Sequence, residues 1–316
     1  MKQLLILLLL LNSTLYSQEF KNVDAKVLNY SRFSKVENLA NQIEKDFSTD
    51  IDKVRAAFFW LTKNIRYDLK EFYNPKQRHY SFSYSTIEER EQKLQTLKDN
   101  LVRKAFASKK GVCEEYAQAF KKTCDLLGIE AEVIKGYVRN DAREIDKITN
   151  TTNHAWNAVK INGDWLILDA TWAAGYELNG RWIREFNNYF FNMPKDKIFK
   201  THYPEDSIWV LRFGRMSLSE FYNQPIYNKT FLDSNIKLIS PLAGKINLYE
   251  IEKLEFKFKN LNTPIYYLFK GNKYLKKAKS ITKGELTTIE IEKPKNNTSV
   301  IFFINKRSAI HFLLIK

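Results

Sequence analysis

The feature that most constrains the fold is a pair of strand-like runs joined by Asn162-Gly163. One run, His154–Ile161, precedes this dipeptide, and the other, 164–171, follows it. Asn-Gly between two such runs is the strongest short signal for a β-hairpin with a two-residue type I′ turn. The turn fixes the register, so Ile161 faces Asp164 and each earlier residue faces a correspondingly later one.

The same register brings an imidazole and a carboxylate together. His154 faces Thr171 and Trp156 faces Asp169, and residues two apart share one face of a sheet. His154 and Asp169 are then diagonal neighbours about 7 Å apart, a gap that a hydrogen bond between the side chains can close. A structural histidine satisfied by an acid has the same pattern, so the pair alone does not decide between structure and catalysis.

Cys113 follows Gly111-Val112, which interrupts a helical pattern, and opens the next helix. Apolar residues then recur at steps of three and four as far as Leu127, and Gly128 supplies a stop signal. Unpaired N–H groups at the start of a helix stabilise a thiolate. Alternatively, Cys113 is simply the first apolar residue of the helix. Together with the His154–Asp169 pair, it matches a nucleophile, its base and the group that orients the base.

The other cysteine, Cys124, lies eleven residues further along the same predicted helix. At about 1.5 Å of rise per residue the two cysteines are about 16 Å apart along the axis. A disulfide tolerates roughly 7 Å between Cα atoms. We therefore expect both thiols to be free. Two cysteines and four histidines show no metal-ligand spacing, so we predict no metal and no cofactor.

Three further histidines are less suited than His154 to act as a base. His202 lacks an acid on a paired strand, His79 lies in a polar loop, and His311 lies in the C-terminal region. We assign none of them a catalytic role.

Hydrophobic periodicity predicts helices over 35–47, from Thr49 onward, and over about 86–108, with a long loop over about 68–85. Strands are expected at 130–138, 154–161 and 164–171. Helices that precede an antiparallel sheet are typical of an α+β fold.

After about residue 224 the pattern changes to short alternating or apolar runs separated by polar stretches. The runs are Leu254–Lys259, Ile265–Phe269, Thr287–Glu292 and Ser299–Ile304. This pattern predicts an all-β sandwich, which we expect to be immunoglobulin-like.

The N-terminus has the layout of a secretory signal peptide: basic Lys2, an apolar run over Leu4–Leu11, and small Ser17 before the predicted cleavage point. The apolar run is shorter than the roughly 20 residues of a membrane span, and no later segment is apolar enough to be one. We predict a signal peptide at 1–17, a catalytic domain at 18–225 and a sandwich at 226–316. The expected location is secreted, periplasmic or on the cell surface.

The formal charge is +15. From Ile226 onward there are 17 Lys/Arg against 7 Asp/Glu, a net +10. Such an excess attracts acidic glycans, cell-wall polymers or membrane surfaces. Export makes nucleic acid the least expected partner, and we predict none. A basic surface that only aids solubility is the alternative.

Three segments of the chain resemble the core motifs of the transglutaminase-like superfamily. They are Gly111–Ala117, His154–Asn157 and Leu168–Trp172. Further segments extend the resemblance to about residues 35–225, and the downstream ones resemble the kyphoscoliosis-peptidase branch. They are Phe59–Asp68, Tyr189–Pro194, His202–Pro204 and Trp209.

The resemblance implies a papain-like fold with a Cys-His-Asp triad. Cys113 would attack a carboxamide or peptide carbonyl and form a thioester, His154 would transfer protons, and Asp169 would orient the imidazole. The chain would then be a peptidase, a transamidase or a deamidase that acts on proteins or peptides. The alternative is a non-enzymatic surface module that binds an anionic glycan, a cell-wall polymer or a protein.

Three residues near the motifs are candidates for contact with substrate. Trp156 and Trp172 are expected in the core or in the wall of the cleft. Glu115 stands where the family commonly has glycine, and we expect it to narrow the site or to add charge near the sulfur.

Overall fold

The computed structural model describes residues 20–75 and 83–316. The predicted signal peptide and His79 lie outside these described residues. The chain forms two compact units: unit 1 holds residues up to Ile134 together with His154–Met193, and unit 2 holds Lys135–Asn153 together with Pro194–Lys316. The domain boundary at 225/226 stays a prediction. Across the described ranges, no helix combines the length and the apolar character needed to cross a bilayer.

Unit 1 combines helices with short strands. Its helices are α1 (Lys21–Leu28), α2 (Val36–Asp46), α3 (Asp50–Asn64), α4 (Leu69–Tyr73), α5 (Ile87–Ser108), α6 (Cys113–Leu126), α7 (Ala170–Ala174) and a 3-10 turn (Asn188–Phe190). Its strands are β1 (Arg66–Tyr67), β2 (Lys110–Gly111), the first half of β3 (Ala131–Val138), β4 (His154–Ile161), β5 (Asp164–Leu168), β6 (Tyr176–Leu178) and β7 (Arg181–Ile183). β1 and β2 pair in parallel, whereas β4–β5 and β6–β7 are antiparallel hairpins.

Helix α6 begins at Cys113 as predicted, and its apolar stripe faces the core. The buried members of the stripe are Tyr116, Ala117, Phe120 and Cys124. Gly128 has a φ of +71°, a left-handed conformation that glycine adopts without strain. The stop signal after α6 is therefore confirmed, and so is the prediction of two free thiols.

Asn157 joins α6 to the strands beneath it. Its amide nitrogen donates hydrogen bonds to the carbonyl oxygens of Ala117 on α6, at 3.0 Å, and Glu132 on β3, at 3.1 Å. The side chain is 1% exposed. A buried amide with two backbone partners fixes the distance between helix and sheet, because either carbonyl would otherwise be left without this donor.

Helix α3 carries a buried guanidinium that ties it to α1. Arg55 donates to both carboxylate oxygens of Asp24 on α1, at 2.8 and 2.7 Å, and to Asn188 Oδ1 at 2.6 Å. Four phenylalanine rings surround it, with centroids 4.7 to 5.7 Å from Cζ: Phe20, Phe59, Phe186 and Phe191. A bidentate ion pair in an apolar setting is held by its geometry, because the guanidinium cannot regain water without unpacking the rings.

Two predicted segments differ from the structure. The strand expected over 164–171 ends at Leu168, because the Asp169 side chain accepts the N–H groups of Thr171 and Trp172 and so starts α7. The loop expected over 68–85 contains α4, which starts where the Asp68 side chain accepts the N–H of Glu71. In both places a short polar side chain caps a helix that has too few residues to show periodicity.

Unit 2 is mostly β-structure. Its strands are the second half of β3, β8 (His202–Pro204), β9 (Ile226–Tyr227), β10 (Lys237–Ser240), β11 (Lys245–Asn247), β12 (Leu254–Lys259), β13 (Ile265–Phe269), β14 (Lys276–Lys277), β15 (Lys279–Lys283), β16 (Leu286–Ile291), β17 (Thr298–Ile304) and β18 (Arg307–Ile315). Its helices are α8 (Ser207–Phe213), α9 (Leu218–Asn223) and α10 (Lys229–Leu232), with 3-10 turns at Ala142–Glu144 and Lys195–Lys200.

Two sheets of unit 2 face each other across an aromatic core. One has the order β10-β12-β16-β15, and the other β11-β18-β17-β13-β14, with β9 also paired to β18. The ring of Phe256 on β12 contacts Phe302 on β17, at 4.6 Å between centroids, and Phe312 on β18, at 4.8 Å. The α+β class and the β-sandwich are thus confirmed, while the immunoglobulin-like type stays a prediction.

We expect Asp24→Ala to lower the free energy of unfolding by about 3 kcal/mol, because Arg55 would keep a buried charge without its carboxylate. The side chains of Arg55 and Asp24 are 3% and 22% exposed. Urea unfolding followed by tryptophan fluorescence measures the effect on unit 1, which holds five of the six tryptophans.

Asp125→Ala is the matched control. It breaks the ion pair with Lys121. The side chains of Lys121 and Asp125 are 28% and 44% exposed, and an exposed ion pair contributes less than about 1 kcal/mol to stability. Equal shifts of the unfolding midpoint in the two variants would contradict a structural role for the buried pair.

Candidate active site

The hairpin has the register that its turn requires. Asn162 and Gly163 have φ values of +51° and +87°, as a type I′ turn demands. Pairing runs from Ile161 opposite Asp164 to Asn157 opposite Leu168. The predicted register is confirmed over this length, and the pairing ends where Asp169 leaves the strand.

Asp169 divides its two carboxylate oxygens between two partners. Oδ2 lies 2.7 Å from Nε2 of His154. Oδ1 accepts the N–H groups of Thr171, at 2.8 Å, and Trp172, at 3.0 Å. Asp169 is 0% and His154 is 7% exposed. The helix cap thus orients the carboxylate, and the carboxylate orients the imidazole.

Cys113 reaches the same imidazole from the other side. It is the first residue of α6, it is half-buried, and it lies close enough to His154 for its thiol to raise the pKa of the imidazole. Because Asp169 occupies Nε2 of the ring, Nδ1 is the nitrogen left for the sulfur. The structure therefore brings the three residues of the predicted triad together.

The charge state of His154 follows from its neighbours. Burial by itself lowers the pKa of His154, because it disfavours the charged ring, but the charge and hydrogen bond of Asp169 raise it, and Cys113 acts in the same direction. The net effect raises the pKa of His154 from 6.5 to about 10. The imidazole is then charged at neutral pH, and a cation in this position stabilises negative charge that forms next to it.

Glu115 is fully buried beside the start of α6. Its carboxylate accepts the N–H of Val112 at 3.1 Å and a hydrogen bond from Lys104 Nζ at 3.3 Å. A Cβ at Gly111 would lie 2.6 Å from the Cβ of Glu115, so glycine is required there. Glu115 thus fixes the backbone next to Cys113 by accepting the N–H of the N-cap residue Val112, which is the N3 half of a capping box. A direct contact with substrate stays a prediction, and the burial turns this carboxylate away from solvent.

Both candidate tryptophans lie close to the imidazole. The ring of Trp156 is 6.1 Å from that of His154 and nearly parallel to it, and Trp156 is 1% exposed. Trp172 is 5.7 Å from His154 and half-buried. Of the two, Trp172 is placed to line a cleft, whereas Trp156 packs in the core. Their contacts with substrate remain predictions.

The other cysteine and histidines that the structure describes are buried or half-buried. Cys124 is fully buried, and burial raises the pKa of its thiol. His202 Nδ1 lies 2.8 Å from Thr201 Oγ1. His311 Nε2 lies 2.8 Å from Ser308 Oγ, and burial lowers the pKa of His311 to about 4.

Sequence reasoning missed Tyr67 as a member of the site. Tyr67 pairs with Gly111 in the parallel β1–β2 ladder, two residues before Cys113, and its ring stacks on Trp182 with 5.1 Å between centroids. In the sequence, only the family resemblance singles out the Ile-Arg-Tyr-Asp segment. No local pattern indicates that a two-residue strand pairs with another more than forty residues away.

Comparisons with known proteins extend these observations. Residues 77–170, which include all three triad positions, match the transglutaminase-like superfamily. Kyphoscoliosis peptidase of Homo sapiens is 24% identical over 232 residues, 72% of this chain and 32% of that protein. Hillarin of Drosophila melanogaster is 24% identical over 231 residues, 67% of this chain and 25% of that protein. The chain spans about a third or less of the length of these curated relatives.

Among solved structures, the periplasmic domain of TgpA from Pseudomonas aeruginosa aligns with a TM-score of 0.25 and 18% identity. The alignment covers 48% of this chain and 47% of that one. A score this low carries no argument.

The sequence match and the two relatives agree on the segment that holds the hairpin and α6. The chain therefore contains a transglutaminase-like domain, and it is similar to the kyphoscoliosis-peptidase branch of that superfamily.

Proposed function

We propose that this protein is an exported thiol enzyme that acts on peptide bonds or glutamine carboxamides through a thioester at Cys113. One observation supports this proposal above the others: a buried imidazole is held by a carboxylate at 2.7 Å and meets a thiol at a helix N-terminus. A nucleophile, a base and an orienting acid in this order are what acyl transfer by a thiol requires.

In the first half of the reaction the Cys113 thiolate adds to the carbonyl carbon, and the electron pair of the C=O bond moves onto oxygen. As the tetrahedral intermediate collapses, the C–N bond breaks and the His154 imidazolium protonates the leaving nitrogen. The products are a thioester at Cys113 and a free amine or ammonia.

In the second half, neutral His154 takes a proton from water or from an acceptor amine, which attacks the thioester. The C–S bond breaks, and the thiolate and imidazolium re-form as a pair. Water gives hydrolysis and an amine gives transamidation. Asp169 keeps the ring in the orientation and tautomer that both halves need.

Export rests on the predicted signal peptide at 1–17. The free thiols fit it in one respect: a half-buried cysteine kept unpaired in an oxidising compartment is expected to have a chemical use. We propose a secreted, periplasmic or cell-surface location.

We also propose that unit 2 contacts an anionic polymer. Under the alternative hypothesis of a non-enzymatic module, this binding would be the protein's whole function. Lys237 on β10 lies opposite Lys259 on β12, which lies opposite Leu286 on β16, itself opposite Lys283 on β15. All four residues are exposed on one face of the sheet. Like charges opposite each other on neighbouring strands are destabilising. Glu285, 2.7 Å from Lys259 Nζ, offsets part of that cost, and a bound polyanion would reduce what is left.

The enzymatic proposal predicts unequal thiol reactivity. At pH 6, iodoacetamide should label Cys113 on the order of 100-fold faster than Cys124, because the imidazolium favours the thiolate at one site and burial opposes it at the other. His154→Ala should slow the labelling of Cys113 by about tenfold or more. Peptide mass spectrometry after timed quenching reads both rates.

The His154 effect should persist through neutral pH, since its raised pKa keeps the ring charged there. Cys124→Ala is the matched control and should leave the labelling of Cys113 unchanged. Equal labelling of the two cysteines would favour the binding module.

Acyl transfer itself is read from mass changes in a peptide library. The wild type should give a gain of water, a loss of ammonia or a crosslink, and Cys113→Ala should give none.

Asp169→Asn should lower kcat by about 10²- to 10⁴-fold, because the amide supports the wrong tautomer of His154. Its carbonyl oxygen can still cap α7, so the far-UV circular dichroism should match that of the wild type. Full activity in Asp169→Asn would contradict the proposed role.

Binding to a polyanion should be salt-sensitive. We expect heparin to bind the wild type more weakly as salt is raised, and Lys237→Gln, Lys259→Gln and Lys283→Gln together to reduce both the affinity and its salt dependence. The matched control removes three exposed charges elsewhere in unit 2, at Lys295, Lys306 and Lys316. Equal losses in the two triple variants would indicate net charge alone, and salt-independent binding would contradict the proposal.

A further inference from the structure

Tyr67 is held by backbone hydrogen bonds next to the segment that presents the nucleophile. The N–H of Arg66 donates to Lys109 O at 2.9 Å, and the N–H of Asp68 donates to Gly111 O at 3.0 Å. These bonds bracket Tyr67 and place it opposite Gly111. The position of the tyrosine relative to Cys113 is therefore set by the ladder and not by a mobile loop.

The ring of Tyr67 packs against two aromatic side chains, whereas its hydroxyl has no hydrogen-bond partner among the described residues. Trp182 stacks on the ring at 5.1 Å and Phe72 contacts it at 5.7 Å. Among the residues that the structure describes, the hydroxyl makes no hydrogen bond. Tyr116, the other tyrosine near α6, differs in this respect, since its hydroxyl donates to Ile65 O at 2.6 Å.

The electrostatic surroundings of Tyr67 are those of the triad. Burial raises the pKa of the Tyr67 phenol, and the charges of Cys113 and Asp169 raise it further. The hydroxyl therefore stays protonated, and remains a donor, at any pH at which the enzyme would work.

We propose that the Tyr67 hydroxyl is the side-chain donor to the oxyanion that forms when Cys113 adds to a carbonyl. The inference rests on the proposed function and deepens it. Tyr67 is fixed opposite Gly111, two residues before the nucleophile. A pre-positioned O–H on such a residue, with no other hydrogen-bond partner to give up, meets the requirement for stabilising charge that develops only in the transition state. Backbone N–H groups at the start of α6 supply the companion donors. No proton is transferred: the phenol donates a hydrogen bond to the alkoxide and keeps its proton.

Trp182 is the competing donor, because it lies against the tyrosine ring. Its Nε1 atom is buried and has no hydrogen-bond partner among the described residues. Both residues are half-buried, but a covered N–H cannot reach a substrate without displacing its neighbours, whereas the Tyr67 hydroxyl is not among the buried atoms that lack a partner. The two donors are separated by experiment.

The test uses N-acetyl dipeptide aldehydes, which add to a thiolate to give a hemithioacetal whose oxygen occupies the oxyanion position. Protection of Cys113 from iodoacetamide measures their affinity. Tyr67→Phe keeps the stacked ring and loses only the hydroxyl. We expect it to weaken aldehyde binding by about 10- to 100-fold, while alkylation of Cys113, which forms no oxyanion, changes by less than about twofold.

Trp182→Phe keeps the stacking partner, and its aldehyde affinity should equal that of the wild type. Unchanged affinity in Tyr67→Phe, or a loss confined to Trp182→Phe, overturns the inference and leaves the thioester mechanism standing. Slower alkylation in Tyr67→Phe, equal to its loss of aldehyde affinity, also overturns it, because the hydroxyl would then act on the sulfur. If Cys113 labels no faster than Cys124 in the wild type, the proposed function fails and the inference fails with it.

Discussion

The carboxylate of Asp169 holds two parts of unit 1 in place at once. One oxygen accepts two N–H groups and begins α7, while the other lies 2.7 Å from the imidazole of His154. Since the residue is fully buried, neither oxygen can exchange its partner for water. The turn from strand to helix and the orientation of the ring are therefore one arrangement, and a change that loosens the cap also releases the base. Through this coupling a short hairpin and the helix after it orient the imidazole.

The site could be predicted from sequence where local rules act. Asn162-Gly163 fixes a turn, the turn fixes a register, and the register places His154 and Asp169 on one face. The helix start at Cys113 follows equally from Gly111 and the apolar stripe. The distance between the two side chains did not follow, because the strand geometry that was assumed ends at Leu168. The acid reaches the ring by leaving the sheet.

What the sequence left open depends on contacts between distant segments. The sequence suggests that Glu115 adds charge near the sulfur. In the structure its carboxylate accepts the N–H of Val112 and a hydrogen bond from Lys104, and Lys104 comes from a different helix, α5. Tyr67 reaches the site through a two-residue ladder that has no periodicity of its own. In the sandwich, interior strands such as β12 and β13 had the expected bounds. β15 was not predicted, because an edge strand that is exposed along its whole length shows no alternation of buried and exposed residues.

The order of the two units along the chain has a consequence for taking the protein apart. The polypeptide passes from unit 1 to unit 2 after Ile134, returns at His154, and leaves again after Met193. The excursion is anchored inside unit 2, where Arg139 donates to the carbonyl oxygens of Tyr222, at 3.1 Å, and Gln224, at 2.8 Å. A chain cut after residue 193 would lack Tyr222 and Gln224. The buried guanidinium of Arg139, in the segment that leads to His154, would then lose both of these hydrogen-bond acceptors. Unit 1 is thus compact, yet no single cut of the chain separates it from unit 2.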